Sequence, residues 1–288
     1  MAELKPFRGN YYLWEYVPST AAAVIFVFLF AGATGFVGWR MAKTRTWFSI
    51  PFILGGLFQF LGYAARAYAR DNTDQLGPYL MQSVLILVAP ALFAASIYMT
   101  LGRLMRSVHG ERHSIIPIRW LTKAFVLGDV LSFMVQSSGG GMMAGENFDP
   151  KTGQNIILGG LFVQIIMFGL FAMTAVIFHV RMRRWPSAAS MDASSGWVRI
   201  MMMLYATSAL ILVRSVFRVV EYIMGKEGYL LKHEWTLYVF DAALMFGTMA
   251  VYGVVYPGHL SRKELRKPRA WDTVDSGLGE DDVRLGGH

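Results

Sequence analysis

The chain has 288 residues, 55% of them hydrophobic, 14% aromatic and 16% charged, with a formal net charge of +8. A soluble domain carries about a quarter of its residues charged, so this composition excludes that class. There is no cysteine, which removes disulfides, thiolate metal sites and cysteine nucleophiles.

The apolar residues gather into runs of about twenty, long enough to cross roughly 30 Å of hydrocarbon. Seven spans are predicted, over residues 20–39, 47–69, 78–102, 120–140, 156–180, 198–224 and 234–257. The first starts late, is too long for a signal-peptide apolar region and leads straight into six more, so it reads as a retained span. The connecting loops are too short for a second folded domain. The expected architecture is all-α: a polytopic membrane protein built as a seven-transmembrane-helix bundle. It divides into an extracellular N-terminal segment (1–17), the transmembrane domain (18–260) and a cytoplasmic tail (261–288).

Orientation follows from the basic residues. Arg40, Lys43 and Arg45 lie in the first loop, and Arg103, Arg106, Arg112, Arg119 and Lys123 flank the third. Arg181, Arg183, Arg184 and Arg199 flank the fifth, and Arg262, Lys263, Arg266, Lys267 and Arg269 follow the last span. The opposite side holds only Lys5, Arg8, Arg70, Lys151, Lys226 and Lys232, several beside acids. The N-terminus is therefore expected outside and the C-terminus in the cytoplasm, with the plasma membrane as the expected location. The positive charge is first of all a topology signal. No soluble basic module for nucleic acid is present. SRKELRKPR reads as flanking charge able to lean on anionic lipid, and the acidic, Gly-rich remainder as disordered.

Four spans devote one helical face to polarity. The second carries Gln59, Tyr63, Arg66 and Arg70; the fourth Asp129, Ser132 and Gln136; the sixth Arg214, Arg218 and Glu221; the seventh Glu234, Tyr238 and Asp241. An unpaired charge at mid-membrane costs about 2.5–3.5 kcal/mol on insertion scales. The cations Arg66, Arg214 and Arg218 and the anions Asp129, Glu221 and Asp241 are thus expected to turn inward and pair. By depth they form a pocket below the outer face, while the inner halves read as almost purely apolar. Such a network either binds an amphiphile or fixes helix neighbours. Gly32, Gly35, Gly38, Gly55, Gly56, Gly159 and Gly160 read as close-packing positions.

Several chemistries find no support. Of the six histidines only His179 and His233 touch a span, at opposite faces, so no three-ligand metal site follows. No mid-span lysine offers a Schiff base, and no phosphate-cradling loop is present. No cofactor and no enzymatic activity are expected.

The motifs WEYVPS, GYAAR, LILVAPALFAASIYMTLGR, DVLSFMVQSSGGG, GGLFVQ, RSVFRVVEY, HEWTLYVFDAALM and YPGHL follow in that order from about Tyr12 to Leu260. In this order and spacing the chain resembles the fungal RTA-like family of seven-span lipid-translocating exporters. The resemblance implies Tyr63, Arg66, Asp129, Gln136, Gln164, Arg214, Arg218, Glu221, Glu234 and Asp241 as characteristic polar, substrate-binding positions. It also implies sphingoid long-chain base export, porphyrin traffic or drug and stress resistance as the sphere of action. One departure is visible: Gln59 stands where the family commonly has an acid.

Together these readings point to transbilayer movement or export of an amphipathic lipid, without ATP. A seven-span receptor or stress sensor for an extracellular amphiphile is the alternative, with HGERHSIIPIR and RMRRWPSAASMDASSG docking a cytoplasmic partner. The apolar inner halves favour that alternative, because a carrier needs a path for the headgroup. The oligomeric state is left open.

Overall fold

The computed structural model describes residues 19–70, 75–111, 114, 117–144, 150–191, 196–225, 228, 230 and 233–260, and every regular element among them is helical. In chain order, α1 spans Thr20–Thr44, α2 Ile50–Ala69, α3 Leu76–Ser107, α4 Ile118–Ala144, α5 Pro150–Arg184, α6 Trp197–Met224 and α7 Glu234–Val254. Short helical turns at Trp47–Ser49, Ala188–Met191 and Gly258–Leu260 complete the helical elements. The segments expected at 1–17 and 261–288 lie outside the described residues.

Helix limits follow local chemistry. Arg45 ends α1 with a left-handed backbone, φ 53°, and Pro51 sits in the first turn of α2, where its missing N–H costs nothing. Gly225, at φ 65°, stops α6. At the end of α7, the Arg40 guanidinium of α1 donates to the carbonyls of Gly253 and Val254, at 2.8 and 3.2 Å. These are orphan carbonyls of the last turn.

Among the described residues six helices are long and apolar enough to cross a membrane, and α4 is not one of them. Its 27 residues suffice in length, but Asp129, Ser132, Gln136 and residues 137–141 dilute its apolar content. Large apolar side chains are exposed on α1, α4, α5 and α6, including Phe28, Leu131, Ile166 and Val213. So broad an apolar surface suits lipid, not water. The protein is an integral, multi-pass, all-helical membrane protein.

Helices adjacent in sequence pack as neighbours, α1 closes against α7, and α3 also meets α6 across the bundle. Phe52, Phe93 and Tyr252 fill the junction of α2, α3 and α7, with ring centroids 4.6 and 4.0 Å apart. Only some of the expected glycines sit at a close helix approach. A Cβ on Gly55 would lie 2.9 Å from the Ala89 carbonyl, and one on Gly160 3.0 Å from that of Ser132. Gly32, Gly35 and Gly159 instead face open space, and Gly38 has only an ordinary contact. Sequence spacing does not reveal which face of a helix meets protein and which meets lipid.

The end of the bundle expected to face inward differs from expectation as well. The Ser49 hydroxyl bonds to those of Tyr252 and Tyr256, at 2.9 and 3.1 Å, and Thr46 bonds Tyr256. Thr44 joins them through Thr46, at 2.9 Å. This uncharged hydroxyl layer is tied to the α1–α2 turn and the end of α7. Hydroxyls scattered over two distant segments leave no periodic signature, which is why the inner half reads as apolar.

Candidate functional site

The C-terminal end of α2 and the sixth and seventh helices assemble a charged network. Arg66 is 1% exposed, and its Nη2 lies 2.7 Å from Glu234 Oε1. Its Nε donates to the Tyr238 hydroxyl at 3.1 Å and its Nη1 to Gln82 of α3 at 3.4 Å. Glu234 also accepts from the Ser19 backbone N–H, at 2.9 Å to each oxygen, and from Tyr238 at 3.2 Å. One ion pair thereby ties α2 and α7 to the start of α1.

Asp241 is the second centre and is fully buried. It accepts from Arg214 Nε at 2.6 Å and from Arg218 Nη2 at 2.5 Å. Arg218 reaches back to Glu221 at 2.9 Å, one helical turn along α6. Asp241 sits inside a π-helical stretch, Tyr238–Ala243, that interrupts α7. Such widened turns are frequent at functional sites.

A proline explains one further contact. Pro90 lies inside α3 and has no N–H to give to the carbonyl four residues earlier. That carbonyl belongs to Ile86, and it accepts from Arg214 Nη2 at 3.2 Å. A freed carbonyl inside a membrane helix needs another donor, and Arg214 supplies it.

Tyr63 stands between the two centres. Its ring stacks on Phe30 at 5.5 Å, and its hydroxyl is within electrostatic reach of Asp241, Arg66, Arg218 and Tyr238. That hydroxyl, both polar atoms of Gln59 and Nε of Arg218 are buried without a hydrogen-bond partner among the described residues. Buried polar atoms are nearly always satisfied, so unused capacity here marks a place for additional polar contacts.

The sequence-predicted residues thus fall into two groups. Tyr63, Arg66, Arg214, Arg218, Glu221, Glu234 and Asp241 are brought together. Asp129, Gln136 and Gln164 are not. Asp129 accepts a hydrogen bond from Tyr98 of α3 at 2.9 Å, and among the described residues no arginine pairs with it. Gln136 donates to Gln164 at 3.2 Å and to Ser132 at 2.9 Å, while Ser132 bonds the Gly160 carbonyl. These contacts bind α4 to α5. The expected pairing of Arg66, Arg214 and Arg218 with Asp129, Glu221 and Asp241 is corrected on one point: Glu234 takes the place of Asp129. Helix α4 packs on α3 and α5, which turns its polar face away from the arginines.

Sequence reasoning left Tyr238, Gln82, Tyr98 and the Pro90–Ile86 pair out of the site. Tyr238 shares the Glu234–Asp241 stripe, and Pro90 interrupts an apolar run, so both carried a signal. Among the described residues no group of three His, Asp or Glu is placed to hold a metal ion.

A family model described as RTA1 like protein matches residues 52–264. Protoporphyrin uptake protein 1 of Saccharomyces cerevisiae is 37% identical over 281 residues, covering 85% of this chain and 92% of that protein. Protein RTA1 of the same yeast is 40% identical over 208 residues, 72% of this chain and 65% of that protein. The yeast sphingoid long-chain base transporter RSB1 is 26% identical over 256 residues, 76% and 66% of the two chains. No solved structure matches. The chain belongs to the RTA1-like family.

Proposed function

We propose that the protein moves an amphipathic lipid, a sphingoid long-chain base or related amphiphile, across the bilayer without ATP. The observation that carries this reading is the buried network of Arg66, Arg214 and Arg218 with Glu221, Glu234 and Asp241, bordered by the unpartnered Tyr63 hydroxyl and Gln59 amide. A membrane protein holds so many charges where polar cargo or ions pass more often than where helices merely pack. Relatives named for protoporphyrin uptake and for sphingoid long-chain base transport support the same class of cargo, an amphiphile with a polar head. In this reading the bundle has seven spans, α4 included, with its N-terminus outside and its C-terminus in the cytoplasm of a cell bounded by the plasma membrane. The headgroup is handled by the network, with Gln136 and Gln164 lining the neighbouring α4–α5 contact.

In the sequence, inner halves without polar groups count in favour of the receptor alternative. The hydroxyl layer of Ser49, Thr46, Tyr252 and Tyr256 supplies polar partners there, so the carrier reading is preferred.

The test is transbilayer movement in proteoliposomes carrying headgroup- and tail-labelled lipids, read with a membrane-impermeant quencher. Movement faster than in protein-free vesicles is expected, and Glu221→Gln or Arg218→Ala is expected to abolish it. A combined Glu221→Gln and Arg218→Gln variant, which keeps the charge balance, separates loss of function from loss of folding. No acceleration for any lipid with folded protein would overturn the proposal.

A further inference from the structure

The interior charge balance leaves one carboxylate over. Arg66, Arg214 and Arg218 are matched in number by Glu234, Asp241 and Glu221. Asp129 is only 4% exposed, and among the described residues no cation lies within ion-pair distance of it. Its Oδ2 accepts from Tyr98, and its Oδ1 is buried with no hydrogen-bond partner among the described residues.

The hydrogen-bond donor of this acid belongs to an aromatic cluster. Tyr98, its hydrogen-bond donor on α3, has its ring centroid 4.5 Å from that of Phe171 and 6.1 Å from that of Phe168, both on α5. Phe125, one turn before Asp129 on α4, lies 5.5 Å from Tyr98 and meets Phe171 edge-on. Tyr98 is the titratable group that meets Asp129 from α3, and Phe168 and Phe171 extend the cluster from α5. Lys123 of α4 is exposed, and Arg103 of α3 lies over the Phe48 ring at 4.5 Å. A carboxylate whose hydrogen-bond donor, Tyr98, belongs to a cluster of rings brings near one another the two attractions that capture an organic ammonium, charge pairing and cation–π contact. The next residues on α4, Val130 and Leu131, and Met134 beyond them, are exposed on the apolar surface. A hydrocarbon tail attached to that ammonium would lie along them.

We propose that Asp129, with Tyr98, Phe125 and Phe171, forms a subsite for the primary ammonium head of a single-chain amphiphile, distinct from the arginine network. This deepens the transport reading and rests on it for its biological role, but binding at Asp129 stands or falls by itself. The ammonium supplies the missing cation; an alcohol or carboxylate head of the same length does not.

The experiment uses the full chain in nanodiscs of phosphatidylcholine, with dodecylamine, dodecanol and dodecanoate as probes. Melting temperature is followed against probe concentration, since a ligand bound to the folded state stabilises it by mass action. Dodecylamine is expected to raise the melting temperature saturably, with an apparent affinity about tenfold or more above that of dodecanol. Asp129→Asn, which retains an acceptor for Tyr98, is expected to erase that preference. Phe171→Leu keeps the carboxylate and is expected to weaken the amine response more than the alcohol response, so the idea stays testable if Asp129→Asn fails to fold. Equal amine responses in wild type and Asp129→Asn, or no preference for amine over alcohol, would overturn the subsite. Lipid movement by wild-type protein in that event would leave the transport reading intact. An Asp129-dependent amine response without any lipid movement would instead retain the subsite and refute the transport reading.

Discussion

Two polar regions of this bundle use the same residue types to opposite ends. Across α2, α6 and α7, each carboxylate meets a guanidinium, and Asp241 meets two. Across α3, α4 and α5, Asp129 meets only a phenol among the described residues, and amides and hydroxyls do the rest. The first region closes its own charge; the second does not. In a low-dielectric interior, that difference decides what a substitution costs. Removing one member of a paired set strands its partner, whereas neutralising an acid that has no cation strands nothing.

Stability measurements on four variants break or sharpen that contrast. Asp241→Ala leaves Arg214 and Arg218 without their shared acceptor, and destabilisation of about 3–5 kcal/mol is expected; a thermal unfolding midpoint close to wild type would erase the contrast. Arg66→Met strands Glu234 only partly, because Ser19 and Tyr238 still donate to it. Its expected cost is about 1–3 kcal/mol, checked by the same unfolding measurement. Pro90→Ala restores an N–H to α3 that competes with Arg214 for the Ile86 carbonyl. The net change should stay within about 1 kcal/mol, and slow hydrogen exchange at the new amide would show that the carbonyl has changed donors. Asp129→Asn, at the other extreme, is expected to be neutral or slightly stabilising, within about 1 kcal/mol. A loss as large as that of Asp241→Ala would mean that Asp129 is paired after all.

Much of the network was legible beforehand because helical periodicity is a short-range property. Offsets of four and seven place Arg214, Arg218 and Glu221 on one face, and Glu234, Tyr238 and Asp241 on another, whatever the rest of the chain does. The same periodicity placed Asp129 and Gln136 on one face of α4 but carried no information about the neighbour that face would meet. Asp129 therefore read as a partner for the arginines, and only the packing of α4 on α3 and α5 gave it to Tyr98. Glu234 was not among the three acids expected to pair, and the fold brought Arg66 against it.

The sequence by itself determined the class, the long apolar helices, the inward polar stripes and the family, because each depends on composition, on residues a few positions apart or on motif order. Tertiary structure decided which acid each arginine meets, which glycines admit a neighbouring helix, where the π-helical turn sets Asp241 and how Arg214 takes up the carbonyl freed by Pro90. Those outcomes depend on distances between segments up to 168 residues apart, as with Arg66 and Glu234, and on the rotation of each helix about its own axis. Both are set by packing of the whole bundle, which no local pattern encodes.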